Sequence, residues 1–447
     1  MKDLNGYWRA ARLAPWVLTL VLSAACGLFH YDALPDDDTR LADKTAIAGV
    51  DVSRLTIAEA RAQLPQTPPA YRFHLPDQTV SVEAGALGIG YDLDAALLMA
   101  VNGEPAETLL LRVDTDALAR ALQAFAEQHT AEAADAVATF TGGSSEPFSF
   151  TAARTGVEID TDALFQTVLR AVQSGQTDIA VPHSVLHPAV TEEELRAQNQ
   201  CLGRFTTSFA KSPQNAADRV FNIKKAAAAI DGVTLQPNAA FDCNAVLGDR
   251  NEENGWRTAA GIRGGRYVQE YGGGVCQVSS TLFNAVMMAD LSITERHPHS
   301  WPMSYVDIGR DATISTGGKN FCFVNSTGAP LTLSAWVDED EQTVTVSIYG
   351  TPVLPDGQYV TVVSERTGTL PALPEELLLD ESLPYGTRVV EREGREGRTA
   401  RTYKEYRAKD GTLLRREVAY EDIYRSISAR VYVSTDLYAA EAAAAGD

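Results

Sequence analysis

Gly272-Gly273-Gly274-Val275-Cys276-Gln277-Val278-Ser279-Ser280-Thr281-Leu282-Phe283-Asn284-Ala285 is the stretch on which the reading of this chain turns. Three glycines ahead of a cysteine allow tight backbone geometry. From Gln277 to Ala289 the apolar residues recur at a spacing suited to a buried helix, which places Cys276 at the helix N-terminus. A thiolate is favoured there, because unpaired N–H groups and the helix dipole stabilise negative charge and a nearby histidine lowers a thiol pKa further.

Downstream, Arg296, His297 and His299 follow across one short connection, with Asp311 beyond them. These residue types supply a nucleophile in Cys276, a base in His297 or His299 and an orienting acid in Asp311. The order Cys, His, Asp resembles that of transglutaminase-like and related cysteine acyl-transfer sites. The same residues also suit a plain structural role, with Cys276 buried beneath a glycine turn and the histidines capping or pairing. A metal site built from His297, His299 and Asp311 lacks a clear third ligand, and no Cys/His pair has zinc spacing. Neither metal nor cofactor is expected.

Upstream, Asn215, Arg219, Asn222 and Ile223 lead an Ala-rich helix, Lys224 to Ile230, followed by the Asp231-Gly232 turn and by Pro237 and Phe241. With Gly261, Tyr267, the glycine-cysteine-glutamine run, Arg296-His297-Pro298-His299-Ser300 and Gly309-Arg310-Asp311-Ala312-Thr313, these residues resemble the VanW family in order and spacing. The resemblance implies a VanW-like α+β domain over residues 200–350. One departure is Pro237-Asn238-Ala239-Ala240-Phe241-Asp242, where the family usually reads Pro-Gly-Glu before Phe-Ser.

On the N-terminal side, Leu87-Gly88-Ile89-Gly90-Tyr91-Asp92-Leu93-Asp94-Ala95 resembles Thr155-Gly156-Val157-Glu158-Ile159-Asp160-Thr161-Asp162-Ala163. In each, a Gly turn leads through a short strand to an Asp that can cap a helix. Thr56 and Glu59 are spaced as a capping box. Residues 41–195 are therefore read as α+β repeats, and they resemble the peptidoglycan-binding domain that often precedes VanW-like domains. A generic α+β spacer is the other reading. After residue 350 short alternating strands begin, with turns at Thr351-Pro352 and Pro355-Asp356-Gly357 and a linker from Pro371 to Pro374. The glycines Gly394, Gly397 and Gly411, set among Val, Thr and Tyr, resemble the G-five domain over 375–435. That resemblance implies adhesion to wall sugars. Exposed Tyr403, Tyr406 and Tyr420 on a three-stranded ribbon could stack on sugar rings, although tyrosines on a thin sheet more often cover its small core. Residues 436–447 are expected to be a disordered tail or a frayed helix.

The chain has 447 residues and a net charge of -21, which excludes the basic groove of a nucleic-acid binder. Lys2, Arg9 and Arg12 precede an uncharged stretch, Leu13 to Tyr31, and an acidic run then opens at Asp32. Residues 1–40 are thus expected to be an export signal or membrane anchor, with the bulk of the chain extracytoplasmic. Ser23-Ala24-Ala25-Cys26 also resembles a lipoprotein processing site. Excluding Cys26, four cysteines remain, a count that permits two disulfides outside the cytoplasm. Together these features imply a multi-domain α+β protein of the cell envelope with a small C-terminal β domain. Its expected partners are peptidoglycan or wall glycan and, through the N-terminal segment, the membrane.

Overall fold

The computed structural model describes residues 33–210, 217–263, 266–355 and 357–444. The expected anchor from Leu13 to Tyr31, Cys26, Asn215 and Asp356 lie outside these residues. No helix among the described residues is long and apolar enough to cross a membrane.

The chain divides into two compact units that interleave in sequence, since residues 132–156 join the second unit while 157–185 return to the first. The chain passes between the units three times, after residues 131, 156 and 185, the last crossing lying near the boundary expected at 195. In the first unit Thr56 and Glu59 do form a capping box on the helix Ile57–Gln63. Asp92 caps the helix Leu93–Val101, and Asp160 caps α2 (Thr161–Ser174) by accepting from the Ala163 N–H. Beside α2 runs α1 (Thr115–His129), and the two cover a three-stranded sheet in which Tyr71–His74 lies between Thr79–Val82 and Asp178–Ala180. The two look-alike segments pack into different cores, Leu93 and Leu97 in one and Leu164 and Val168 in another.

The second unit is built on a four-stranded antiparallel sheet and one buried helix. Strand β1 (Gln200–Ser208) opens it, the helix α3 (Ala217–Ile230) follows, and α4 (Val275–Met288) carries the cysteine. The sheet is completed by Thr234–Leu235, β2 (Leu331–Asp338) and β3 (Thr343–Gly350), with β3 between β1 and β2. Nearly every residue of α4 is buried, including Gln277, Ser279, Ser280, Thr281 and Asn284, so this helix is the axis of the domain. Its approach to β1 depends on Gly203, where an added Cβ would sit 2.3 Å from the Ala285 carbonyl oxygen. Asn238, which stands where a glycine is usual, has φ 65°. Asparagine is one of the few residues that tolerates this left-handed conformation, so the turn after Pro237 survives the departure.

Beyond the sheet, β4 (Tyr359–Leu370), β5 (Gly397–Arg407) and β6 (Leu413–Tyr424) form an antiparallel ribbon with β5 in the middle. This ribbon begins at Tyr359, ahead of the 375 boundary, between the expected turns at 351–357 and the expected linker at 371–374. A second small sheet sets Arg430–Val433 between Glu376–Leu379 and Arg388–Arg392. Of the two readings of its tyrosines, covering rather than exposure is what the ribbon shows. Tyr406 is buried with its hydroxyl on Asp290, Tyr420 packs edge-on against Phe283, and Tyr403 is half-buried with Arg416 over its ring. The end of the chain is helical over α5 (Thr435–Ala444) rather than unstructured. The four cysteines among the described residues are free thiols, so the two permitted disulfides do not form.

Candidate functional site

The site grows from the N-terminus of α4. Gly274 takes the cap position with φ 101°, a conformation that L side chains rarely adopt. An added Cβ there would also press on the Arg219 side chain at 2.8 Å. Cys276 follows in the first turn, half-buried, with Sγ 3.6 Å from Thr313 Oγ1 and 3.4 Å from the Ile314 carbonyl oxygen.

His299 lies beside the Cys276 thiol, close enough for each to shift the other's titration. Its ring nitrogen Nδ1 donates to Asp311 Oδ2 at 2.6 Å, and its backbone N–H donates to the same oxygen at 2.7 Å. Since Nδ1 is taken, Nε2 is the atom left to face the sulfur. The structure thus brings Cys276, His299 and Asp311 together, with His299 held on Asp311 by two hydrogen bonds. His297 stands apart, with its side chain 41% exposed and Nε2 2.9 Å from Glu295. Of the two candidate bases only His299 meets the thiol. No cluster of His, Cys, Asp and Glu among the described residues has the arrangement of a metal site.

The segment carrying Asp311 is gripped by the polar face of α4. Ser279 and Ser280 hydroxyls donate to the Ala312 carbonyl, Ser280 Oγ accepts from the Ala312 N–H, and Asn284 and Arg310 bond reciprocally at 2.7 Å. Buried hydroxyls and amides on a core helix would be costly without partners, and here each one fixes the loop beside the cysteine. A second polar layer joins Arg219 to Gln277 Oε1 at 2.7 Å and Gln277 to Thr207 at 3.1 Å.

The electrostatics favour a charge-separated pair. Burial pushes the Cys276 thiol up, but the His299 hydrogen bond and charge outweigh it and bring the thiol below its ordinary value. Burial pulls His299 down, yet Asp311 and Cys276 together raise it to about 9. Burial likewise opposes the Asp311 charge, and contacts with His299, Arg296 and Tyr424 bring it to about 2. A thiolate beside an imidazolium, held by a buried carboxylate, can attack an acyl carbonyl and then protonate the departing amine or alcohol.

Several residues here were not visible from sequence. The Tyr424 hydroxyl donates to Asp311 Oδ1, and Arg296 Nη1 donates to Asp422 Oδ1 at 2.5 Å, both acceptor and donor lying far apart in the chain. Arg250 and the buried Tyr305 hydroxyl lie within electrostatic reach of Cys276. The one sequence signal for Asp422 and Tyr424 is their shared face on a strand, where period two sends Tyr420, Asp422 and Tyr424 the same way.

Residues 218–349 match the family described as VanW like protein, and residues 361–433 match the G5 domain. The chain therefore contains a VanW-like domain followed by a G5 domain, the combination of a cell-wall-associated protein. Over 162 residues it is 41% identical to the uncharacterized protein YoaR of Bacillus subtilis, covering 36% of this chain and 52% of that protein. Over 137 residues it is 27% identical to the vancomycin B-type resistance protein VanW of Enterococcus faecalis, covering 30% and 49% respectively. The chain spans about half the length of the curated relatives it matches. Among solved structures, the G5 domain of an IgA1 protease shares 18% identity with a TM-score of 0.14, covering 17% of this chain and 92% of that one. The G5 domain of HP0197 shares 23% identity with a TM-score of 0.11 at the same coverage.

Proposed function

We propose that this VanW-like, G5-bearing chain is a cysteine-dependent acyl-transfer or hydrolytic enzyme acting on wall peptide at the outer face of the membrane. Cys276 is the nucleophile, His299 the acid and base, and Asp311 the residue that orients it. The observation that carries this reading is the His299–Asp311 hydrogen bond at 2.6 Å beside a helix-terminal Cys276 whose titration His299 lowers. In the first step the thiolate adds to a peptide carbonyl and His299 protonates the departing amine. In the second, water or an acceptor amine takes the acyl group and returns the thiolate.

The flanking regions serve attachment in this reading, with residues 41–195 and the G5 domain holding peptidoglycan or wall glycan. The basic residues ahead of Leu13 to Tyr31 support a membrane anchor. A second reading, a binding or scaffolding protein without catalysis, is favoured by the G5 match.

Incubating the exported chain with soluble wall peptides and measuring its intact mass separates the two. An acyl adduct mapped to Cys276, or peptide products absent from a boiled control, is expected. Sedimentation with insoluble peptidoglycan in the absence of any adduct or product would leave the scaffold reading alone.

A further inference from the structure

The triad carboxylate is not held by the VanW-like domain alone. Asp311 is 1% exposed and has two oxygens to satisfy. Oδ2 receives both His299 bonds, and Oδ1 receives the hydroxyl of Tyr424, which belongs to the G5 ribbon. The same Tyr424 oxygen accepts from the Gly309 N–H at 2.9 Å, two residues before Asp311. Thr402, on the neighbouring strand β5, donates to the Gly309 carbonyl at 2.9 Å. Arg296 lies between the domains with its side chain 1% exposed, donating to Asp422 and to the Asp311 and Gly309 carbonyls. Its guanidinium stands 5.0 Å from the Phe283 ring of α4 and 5.1 Å from the Tyr420 ring of the ribbon. Farther along, Lys404 and Tyr406 both reach Asp290 at 2.8 Å.

This seam is too polar and carries too many hydrogen bonds for a loose tether, although Asp422 Oδ2 has none. A buried tyrosine hydroxyl and a buried Asp422 would each be costly on a sugar-binding ribbon with nothing opposite them. Here they meet the loop that carries the site.

We propose that Tyr424 of the G5 domain is a positioning residue for the Cys276–His299–Asp311 site, so that the docked ribbon completes the VanW-like domain. The proposal takes the catalytic reading of that site as its premise. Tyr424 acts through Asp311, fixing both the carboxylate and the backbone at Gly309, and Asp311 in turn sets the direction of the His299 ring. The titratable and charged groups facing Asp311 are then His299, Arg296 and Tyr305 from its own domain and Tyr424 and Asp422 from the ribbon. Movement of the ribbon, including movement on binding a ligand, is thereby felt at the thiol.

The test uses the full chain carrying Tyr424→Phe and two readouts that packing alone does not move. One is the pH midpoint of Cys276 alkylation by iodoacetamide, resolved from the other cysteines by peptide mass. The other is the downfield proton resonance of the His299 Nδ1–H. We expect the midpoint to rise by about one pH unit, a tenfold loss of thiolate at a given pH, and the resonance to shift or broaden. Tyr403→Phe, whose hydroxyl meets Glu365 on the same ribbon, should change neither. A folded Tyr424→Phe chain with both readouts unchanged overturns the proposal. If that variant does not fold, Thr402→Val takes its place, with a smaller shift in the same direction expected and an unchanged midpoint overturning it. Should the unaltered chain form no acyl adduct while Tyr424→Phe still moves both readouts, the positioning role stands and the enzymatic reading falls.

Discussion

Cys276→Ser is expected to abolish the acyl adduct and to lower wall-peptide turnover by about a thousandfold or more, with the thermal unfolding midpoint near that of the unaltered chain. The magnitude follows from what the site stabilises. His299 and the helix N-terminus favour a thiolate whose ordinary pKa is about 8.5, whereas a serine hydroxyl is far from ionised under the same influence. The fold loses little, because the Sγ hydrogen bonds to Thr313 and the Ile314 carbonyl are long and weak and the helix cap belongs to Gly274. A purely structural cysteine would give the opposite result, a lowered unfolding midpoint and no selective loss of turnover. Turnover with the adduct rate is therefore measured alongside thermal melts on the same preparation.

Asp311→Ala is expected to be the most damaging change for stability, costing about 3–5 kcal/mol as judged by denaturant unfolding. It removes the acceptor of the His299 backbone and ring N–H groups and of the Tyr424 hydroxyl, and it leaves a cavity beside Arg296. The pH dependence carries a second signature. Asp311 has its folded pKa lowered to about 2, so its contribution is present above the ordinary value near 3.8 and is lost as pH falls through about 2. His299 is raised to about 9, so its contribution is complete below 6.5 and fades as pH rises through about 9. The variant should lose the excess slope of stability in both windows, since the His299 shift depends on Asp311. Equal slopes for variant and unaltered chain would show that neither group is coupled to folding as described.

The cysteine helix was legible because its signals are local. Glycines, the apolar spacing of Gln277 to Ala289 and the Asp caps at Asp92 and Asp160 each act within a few residues, and all three appear where expected. Choosing between His297 and His299 was beyond the sequence, since the two are separated by one residue and face opposite surroundings only once the loop is folded. The ribbon misled in a different way. Tyrosines on a thin sheet more often cover a small core of their own, yet Tyr406 and Tyr424 face the neighbouring domain while Ile423 is 62% exposed. An inward Asp422 flanked by aromatic residues makes sense only beside Arg296, more than a hundred residues earlier in the chain. Such long-range pairing leaves no periodic trace. The repeat-like segments show the converse limit, because similar strand-cap-helix stretches were built into separate cores.

The central claim is that Cys276 is an activated thiol paired with His299. Alkylation of the native chain by iodoacetamide across pH, read peptide by peptide, tests it most directly. The account predicts Cys276 reacting with a midpoint below the ordinary value of about 8.5, with His299→Gln moving that midpoint upward and His297→Gln leaving it in place. A Cys276 that stays inert until the protein unfolds, or that titrates at an unshifted midpoint in all three chains, would contradict it.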